Sequence, residues 1–214
     1  MKLDCHTHTS RFSACSVISP DDLLKLARER DLDGLVLTEH NRFWPPDEVS
    51  WLRRAFPELL VFTGAEITVG PHHVVVFLPR PDTSLFLCGS LESLSSAVAE
   101  RDGYAFVAHP FRFNPNFDEL VRNYPFAAIE VASFNQPQSD RVELSLEYAR
   151  RHDLQPITAS DAHSSDPVGD YFIKLPEAVV SVDELIAALH AGDFDLHAPV
   201  LPGNNNKFPD RDIF

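Results

Sequence analysis

The sequence contains no apolar run long enough to cross a bilayer, which excludes integral membrane proteins at the start. A membrane-spanning helix needs about 20 consecutive apolar residues, and none of the 214 residues lies in such a stretch. The first residues also lack the apolar segment of a signal peptide and run directly into Asp4, Cys5 and His6. We therefore predict a cytoplasmic protein with no membrane partner.

Cysteine is scarce as well. The chain has Cys5, Cys15 and Cys88, an odd number with no C-x-x-C spacing. This pattern disfavours both a disulfide framework and a thiolate zinc site. The glycine-rich motifs G-x-G-x-x-G and G-x-x-x-x-G-K-[ST] are missing too, so the common dinucleotide-binding and phosphate-loop folds lose support.

Basic residues are few beside acidic ones. The chain has 18 Lys and Arg against 32 Asp and Glu, which gives a formal net charge of −14. Such a surface repels a polyanion, so we predict no long duplex nucleic acid as a partner. Carboxylates that bind metal ions would account for part of the negative excess.

What the sequence does contain is an alternation of short apolar runs with helical patterns. The runs predict strands over residues 3–8, 34–38, 59–62, 73–78, 104–108, 127–131, 156–159 and 171–175. Helices are predicted from the Ser19 cap onward and over residues 47–56, 91–101, 116–123, 139–152 and 182–191, the last one stopped by Gly192. This alternation is typical of βαβ units and a mostly parallel sheet, here closed or nearly closed into a barrel. We predict one α/β domain over residues 1–201 and a polar tail over residues 202–214.

Histidines and carboxylates concentrate where the predicted strands end. His6 and His8 are two apart on one strand, so their side chains leave the same face. The further residues of this kind are His40, Glu66, His73, His109, Asp161 and His163. Barrels of βα units build their active sites at the carboxyl ends of the strands. Imidazole and carboxylate without thiolate favour Zn²⁺, Mn²⁺ or Fe²⁺, so we predict a centre for such divalent ions.

Five motifs carry a family resemblance. They are His6-Thr7-His8, Thr38-Glu39-His40-Asn41, Gly64-Ala65-Glu66-Ile67, Ala108-His109-Pro110 and Ser160-Asp161-Ala162-His163. In this order they resemble the motifs of the PHP (polymerase and histidinol phosphatase) family of metal-dependent phosphoesterases. The resemblance implies a distorted (β/α)7, TIM-like barrel in a single domain, with a site for two or three metal ions.

The resemblance also implies roles for individual residues. His6, His8 and Asp161 resemble the ligands of the first ion, and Glu66 resembles the carboxylate that bridges two ions. The ligands implied for a second or third ion are His40, His109 and His163. His73 matches a family histidine shortly after the bridging glutamate, whereas its neighbour His72 should face the other side of the strand. Glu130 stays open as a further ligand.

One departure from the family pattern bears on the number of ions. Relatives commonly carry Asp or His five or six residues after the second histidine of H-x-H, where this chain has Ser13 and Ala14, followed by Cys15. Either Cys15 substitutes, or one ion binds weakly, or the site holds two ions. We favour two strong sites and leave the third open.

The predicted reaction is hydrolysis of a phosphate ester. A metal-bound water held by Glu66 and Asp161 would become a hydroxide near neutral pH and attack the phosphorus. Arg11 and Arg112, each three residues beyond a motif histidine, are candidates to bind the phosphate of a small substrate. Two alternatives remain: an amidohydrolase-like C–N hydrolase, for which a candidate carboxylated lysine is missing, and a catalytically silent, metal-stabilised accessory module.

Overall fold

The computed structural model describes residues 1–112, 117, 125–136 and 139–201. These residues form ten strands: β1 Lys2–Thr7, β2 Gly34–Leu37, β3 Leu60–Thr63, β4 Ala65–Val69, β5 His72–Phe77, β6 Tyr104–Val107, β7 Ala128–Ala132, β8 Gln155–Thr158, β9 Phe172–Lys174 and β10 Asp195–His197. They also form five α-helices: α1 Pro20–Glu29, α2 Pro46–Ala55, α3 Leu91–Ala99, α4 Ser139–Arg151 and α5 Val182–Ala191, with a short 3-10 helix at Thr83–Leu87. The helix predicted over 116–123 lies outside the described residues except for Phe117, and so does the predicted tail 202–214.

The strands make two mixed sheets of five. One has the order β10-β9-β1-β2-β3 and the other β4-β5-β6-β7-β8. Parallel pairing joins β1 to β2, β2 to β3, β6 to β7 and β7 to β8. Isolated bridges, Thr7 with Ala162 and His40 with Glu66, connect the ends of strands across the two sheets. The α/β class is confirmed, and the described strands form two sheets of five that do not close into a single (β/α)7 barrel.

The departure from a barrel has a local cause. Strand β4 follows β3 after Gly64 alone and then turns back at Gly70, whose φ is 58°. No helix separates β4 from β5, so the two strands pair antiparallel, with Thr68 opposite His73. The sequence prediction placed no strand between residues 62 and 73 and therefore missed this hairpin, as well as the short strand β10.

The helices begin and end where side-chain chemistry predicts. The Ser19 hydroxyl accepts a hydrogen bond from the backbone N–H of Asp22 (3.2 Å) at the start of α1, with Pro20 in the first position. Gly192 ends α5 in the left-handed region, with a φ of 71°. Every residue of β2 is buried, as expected of a strand covered on both faces. None of the described helices is long and apolar enough to span a membrane.

Candidate metal centre

Strand β1 delivers two histidines to one point. His6 and His8 are fully buried, and their Nε2 atoms lie 3.0 Å apart, which confirms that the two rings leave the same face. The bridge between Thr7 and Ala162 brings the residues after β8 alongside, so that Asp161 Oδ1 lies 3.4 Å from His6 Nε2 and 3.3 Å from His8 Nε2. Residues 155 positions apart in sequence therefore meet because parallel strands end at one edge.

Glu66 is the hub of the cluster. Its Oε2 atom lies 2.8 Å from His40 Nδ1, 3.1 Å from His8 Nε2 and 3.5 Å from His6 Nε2. Its Oε1 atom faces two other rings, 3.0 Å from His73 Nδ1 and 3.2 Å from His109 Nε2. One buried carboxylate thus has a different set of imidazoles on each oxygen, which is the arrangement a bridging ligand requires.

Four atoms of the cluster have the spacing of a tetrahedral ligand set. His6 Nε2, His8 Nε2, Glu66 Oε2 and Asp161 Oδ1 lie within 4.8 Å of one another. Ligands about 2.1 Å from a tetrahedral ion are about 3.4 Å apart, close to the contacts given above. Neither Glu66 Oε2 nor Asp161 Oδ1 has a directed hydrogen bond from the described residues. Because two buried acceptors without donors are costly, the donor set fits a divalent cation.

Two further sets of possible ligands adjoin this one. His40, Glu66 and His73 form the second set, and His8, His40 and His163 form the third. The Nδ1 atom of His163 is 2.9 Å from the carbonyl oxygen of Asp161 and can donate to it, which leaves Nε2 for a ligand role. His72 lies apart, with its ring packed against Phe117 at a centroid distance of 5.5 Å.

The carboxylates and imidazoles of the cluster shift one another's pKa values toward the charged forms. Burial opposes ionisation of Glu66, yet His6, His109 and His40 outweigh it and hold the pKa of this carboxyl well below its usual range. Burial likewise opposes protonation of His8, but the adjacent carboxylates of Asp161 and Glu66 raise its pKa to about 8. In both cases the buried carboxylates require positive charge beside them, which protons or metal ions can provide.

Three of the six described non-glycine residues with a positive φ lie at this cluster. Asn41, His109 and Asp161 have φ angles of 48°, 31° and 51°, in the left-handed region that non-glycine residues seldom occupy. Asn41 is fixed there because its side chain donates to Thr68 Oγ1 (3.1 Å) and accepts from the Thr68 N–H (2.9 Å). Strain of this kind persists at sites where the surrounding structure over-determines it.

Glu130 lies behind the ligand atoms. Its Oε1 atom is 3.0 Å from His6 Nδ1, and its Oε2 atom accepts a hydrogen bond from the backbone N–H of His109 (2.7 Å). A carboxylate on one ring nitrogen fixes the tautomer that leaves the other nitrogen free for metal. The structure thus places Glu130 as a positioning residue for His6, where the sequence had left its role open.

We expect Glu130→Gln to weaken metal binding by about 10- to 100-fold, because glutamine can still accept from the His109 N–H but cannot hold His6 as strongly. Competition against a chromophoric chelator measures the affinity. Glu177, an exposed acid outside the cluster, provides the control Glu177→Gln. Equal affinities for the two variants would show that Glu130 does not position His6.

Ser13, one of the positions where the sequence departs from the family pattern, lies beside the buried carboxyl group of Glu39. Ser13 donates a short hydrogen bond to Glu39 Oε2, and its Oγ lies 3.2 Å from His8 Nδ1. Glu39 also accepts from the Thr9 hydroxyl (2.5 Å) and from the indole N–H of Trp44 (3.0 Å). Ser13 therefore supports His8 from behind, and Cys15, which is exposed, belongs to none of the ligand sets among the described residues.

The two predicted phosphate-binding arginines differ in position. The Arg112 Nη1 atom lies 3.9 Å from Asp161 Oδ2, at the edge of the centre. Arg11 instead forms a bidentate pair with Glu48 of α2, through contacts of 2.9 and 3.1 Å. Its guanidinium is thus neutralised by a carboxylate within the chain.

Three supporting residues were missed in the sequence. Asp4 accepts from the backbone N–H groups of Ser160 (3.0 Å) and His6 (3.3 Å), and burial raises the pKa of Asp4 to about 7. The same period of two that linked His6 to His8 could have revealed Asp4.

Asn135 and Glu39 are the other two supporting residues. Asn135 donates to Asp161 Oδ2 (2.7 Å) and to the carbonyl of Asp161 (2.8 Å), while Glu39 holds the loop beneath His8. No spacing signal pointed to Asn135.

Comparisons with known proteins agree with this geometry. The profile of a family described as PHP-associated matches residues 142–194, a segment that includes Asp161 and His163. No curated protein matches the chain.

Several solved structures share the fold. A two-domain protein from Bacteroides vulgatus containing a predicted PHP-like metal-dependent phosphoesterase is 18% identical, with a TM-score of 0.66, over 92% of this chain and 64% of the other. An amidohydrolase from Chromobacterium violaceum, with bound sulfate and no metal, is 16% identical, with a TM-score of 0.61, over 88% and 96%. A lesion-specific endonuclease from Pyrococcus furiosus is 14% identical, with a TM-score of 0.56, over 91% and 57%.

The fold and the side-chain cluster together define an α/β protein with a histidine–carboxylate centre suited to divalent ions. The matched profile confirms the predicted resemblance to the PHP family over residues 142–194, and the PHP-like neighbour shares the fold. The chain spans 64% of the length of the Bacteroides vulgatus protein.

Proposed function

We propose that this chain is a metal-dependent phosphoesterase that hydrolyses a small phosphomonoester or a short nucleotide phosphodiester. The observation that carries the proposal is Glu66, whose two oxygens face five imidazoles from four segments of the chain. Such a carboxylate can join two cations in one site. The PHP-like neighbour and the endonuclease support phosphate esters as the substrate class.

The chain's own residues divide the work as follows. His6, His8 and Asp161 would hold one ion, and His40, His73, His109 and His163 would serve a second and any third, with Glu66 between them. Divalent Zn, Mn or Fe bound there would withdraw charge from phosphate oxygens and lower the pKa of a bound water toward neutrality. Asn135 fixes the Asp161 carboxylate, and Arg112 beside it is placed to bind a phosphate oxygen of the substrate.

The exposure of the cluster indicates where a substrate enters. The side chains of His6 and His8 are 0% exposed, whereas those of His40, His73 and His163 are 28%, 29% and 23% exposed. A substrate therefore reaches the centre from the side of these three rings. With a net charge of −14 around it, a small anion concentrated by bound cations is a better match than a long duplex.

The amidohydrolase-like alternative has support from one of the neighbours described above. The protein from Chromobacterium violaceum is described as an amidohydrolase, and its fold is shared. Three lysines fall within the described residues, Lys2, Lys25 and Lys174, and none of them forms a hydrogen bond or ion pair with the cluster. A carboxylated lysine between two ions therefore has no candidate there, which favours phosphoester over C–N hydrolysis.

A metal-reconstitution assay tests the proposal. We expect chelator-treated protein to lose hydrolysis of p-nitrophenyl phosphate or bis(p-nitrophenyl) phosphate and to regain it with Mn²⁺, Zn²⁺ or Fe²⁺, because the centre contains no other strong electrophile. p-Nitroacetanilide serves as the amide comparison. Hydrolysis of the amide alone would support the amidohydrolase alternative, silence on every substrate despite bound metal would support an accessory module, and full activity after metal removal would contradict both metal-dependent hypotheses.

A further inference from the structure

Arg42 is an exposed arginine two residues beyond the candidate ligand His40. Its guanidinium lies over the ring of Phe12, with Cζ 4.1 Å from the ring centroid. Within the described part of the chain it has no hydrogen bond and no carboxylate partner. By contrast, Arg11, Arg28 and Arg101 are each paired with a carboxylate.

The stack under Arg42 is anchored to the metal centre. The Phe12 ring packs edge-on against Trp44 at 4.8 Å, and the Trp44 indole donates to Glu39. Ser13, which follows Phe12, contacts both Glu39 and His8. Asn41, which precedes Arg42, is fixed to Thr68 by two hydrogen bonds. Both ends of the stack are therefore connected to the segments that carry the candidate ligands. The Arg42 guanidinium is positioned by its contact with the Phe12 ring.

Two other arginines, Arg54 and Arg80, also lack both a side-chain hydrogen bond and an ion pair within the described residues, but they lie at the other end of the fold. Arg54 is in the last turn of α2, the helix that returns from the end of β2 to the start of β3. Arg80 follows the end of β5, which runs antiparallel to β6. Only Arg42 of these three lies at the edge where the ligands converge.

We propose that Arg42 binds a second anionic group of the substrate, a carboxylate or phosphate separated from the phosphate that reacts at the ions. An exposed guanidinium stacked on an aromatic ring keeps its edge donors free, and these suit bidentate contact with an oxyanion. Arg112 and the ions would serve the reacting phosphate, whereas Arg42 lies two residues beyond His40, which is one of the partly exposed rings of the cluster. The preferred substrates then carry two anionic groups. The inference rests on the proposed function in one respect, because it takes the metal ions as the binding site of the phosphate that reacts.

Binding of two non-hydrolysable phosphonates to the Mn²⁺-loaded chain tests this site. 4-Phosphonobutyrate and butylphosphonate have a phosphonate for the ions and a similar chain, but only the first has a carboxylate at the far end. We expect calorimetry to show about tenfold tighter binding of 4-phosphonobutyrate. Arg42→Ala should remove this preference and leave butylphosphonate binding unchanged. Arg42→Lys should restore part of it, and the control Arg54→Ala should keep all of it.

The outcomes separate this inference from the proposed function. A preference that survives Arg42→Ala, or binding of neither phosphonate, overturns the second anion site. Loss of binding to both phosphonates in Arg42→Ala also overturns it, because the residue would then serve the centre as a whole. A preference that depends on Arg42 in a chain that hydrolyses no phosphoester would leave the anion site in place and contradict the proposed reaction alone.

Discussion

Replacing Glu66 by glutamine is expected to reduce phosphoester hydrolysis by about a thousandfold or more and to remove at least one bound ion. Glutamine keeps the size of the side chain but loses the negative charge, and only its carbonyl oxygen remains a metal ligand. Electrophilic assistance by a metal is worth several kcal/mol in the transition state, and about 4 kcal/mol corresponds to a thousandfold in rate. Among the described carboxylates, Glu66 contacts the most candidate ligands, five imidazoles in all.

Metal content by atomic emission and turnover of p-nitrophenyl phosphate should be measured on the same preparations. Glu177→Gln, an exposed change of the same kind, should retain both. Circular dichroism of Glu66→Gln should remain that of the wild type, because the amide can donate to the surrounding imidazoles. A variant with the full ion content and ordinary turnover would show that Glu66 does not bridge the ions.

The meeting point of the candidate ligands was largely predictable because it depends on two regularities of strands. Side chains alternate, which puts His6 and His8 on one side, and parallel strands end at a common edge, which brings Asp161 to them. Each motif could be located from its own strand without knowing the sheet order. This explains why eight candidate ligands were found, and why all of them lie in one cluster, although the arrangement around them was predicted less well.

The sheet arrangement was harder to predict because β4 departs from the local rule. A short apolar run after a glycine does not reveal whether the chain continues into a loop or a paired strand, and the pairing partner decides. Glu66 lies in this strand and faces the centre because β4 continues beside His40 and turns back at Gly70. Glu66, which is central to the site, thus lies in β4, the strand that the sequence analysis did not predict.

Supporting residues were missed for a related reason. Asn135 and Glu39 act through hydrogen bonds to Asp161 and to the loop beneath His8, and such contacts depend on loop geometry rather than on periodicity. The position of Arg11 is a similar case, since its pairing with Glu48 joins a loop to a helix 37 residues away. Spacing alone predicted that both Arg11 and Arg112 could bind the phosphate of a substrate. The tertiary structure distinguishes them, because only Arg11 is paired with Glu48.

Glu39 shows how much a supporting residue can contribute to stability. We expect Glu39→Ala to lower the free energy of unfolding by about 3 kcal/mol. Its side chain accepts hydrogen bonds from the Thr9 backbone N–H and hydroxyl, the Ser13 hydroxyl and the Trp44 indole. The two hydroxyls can rotate to other acceptors, but the two N–H donors would remain buried without one. Each such donor costs about 1 to 3 kcal/mol.

Urea unfolding of the metal-free chain measures the change without the contribution of bound ions. Glu58→Ala is the matched control, because Glu58 is an exposed acid paired with Arg28 and should cost less than about 1 kcal/mol. Metal affinity should fall as well in Glu39→Ala, since Ser13 loses the partner that holds it against His8. If Glu39→Ala proved no less stable than Glu58→Ala, the loop beneath His8 would owe its position to packing by Phe12 and Trp44 instead.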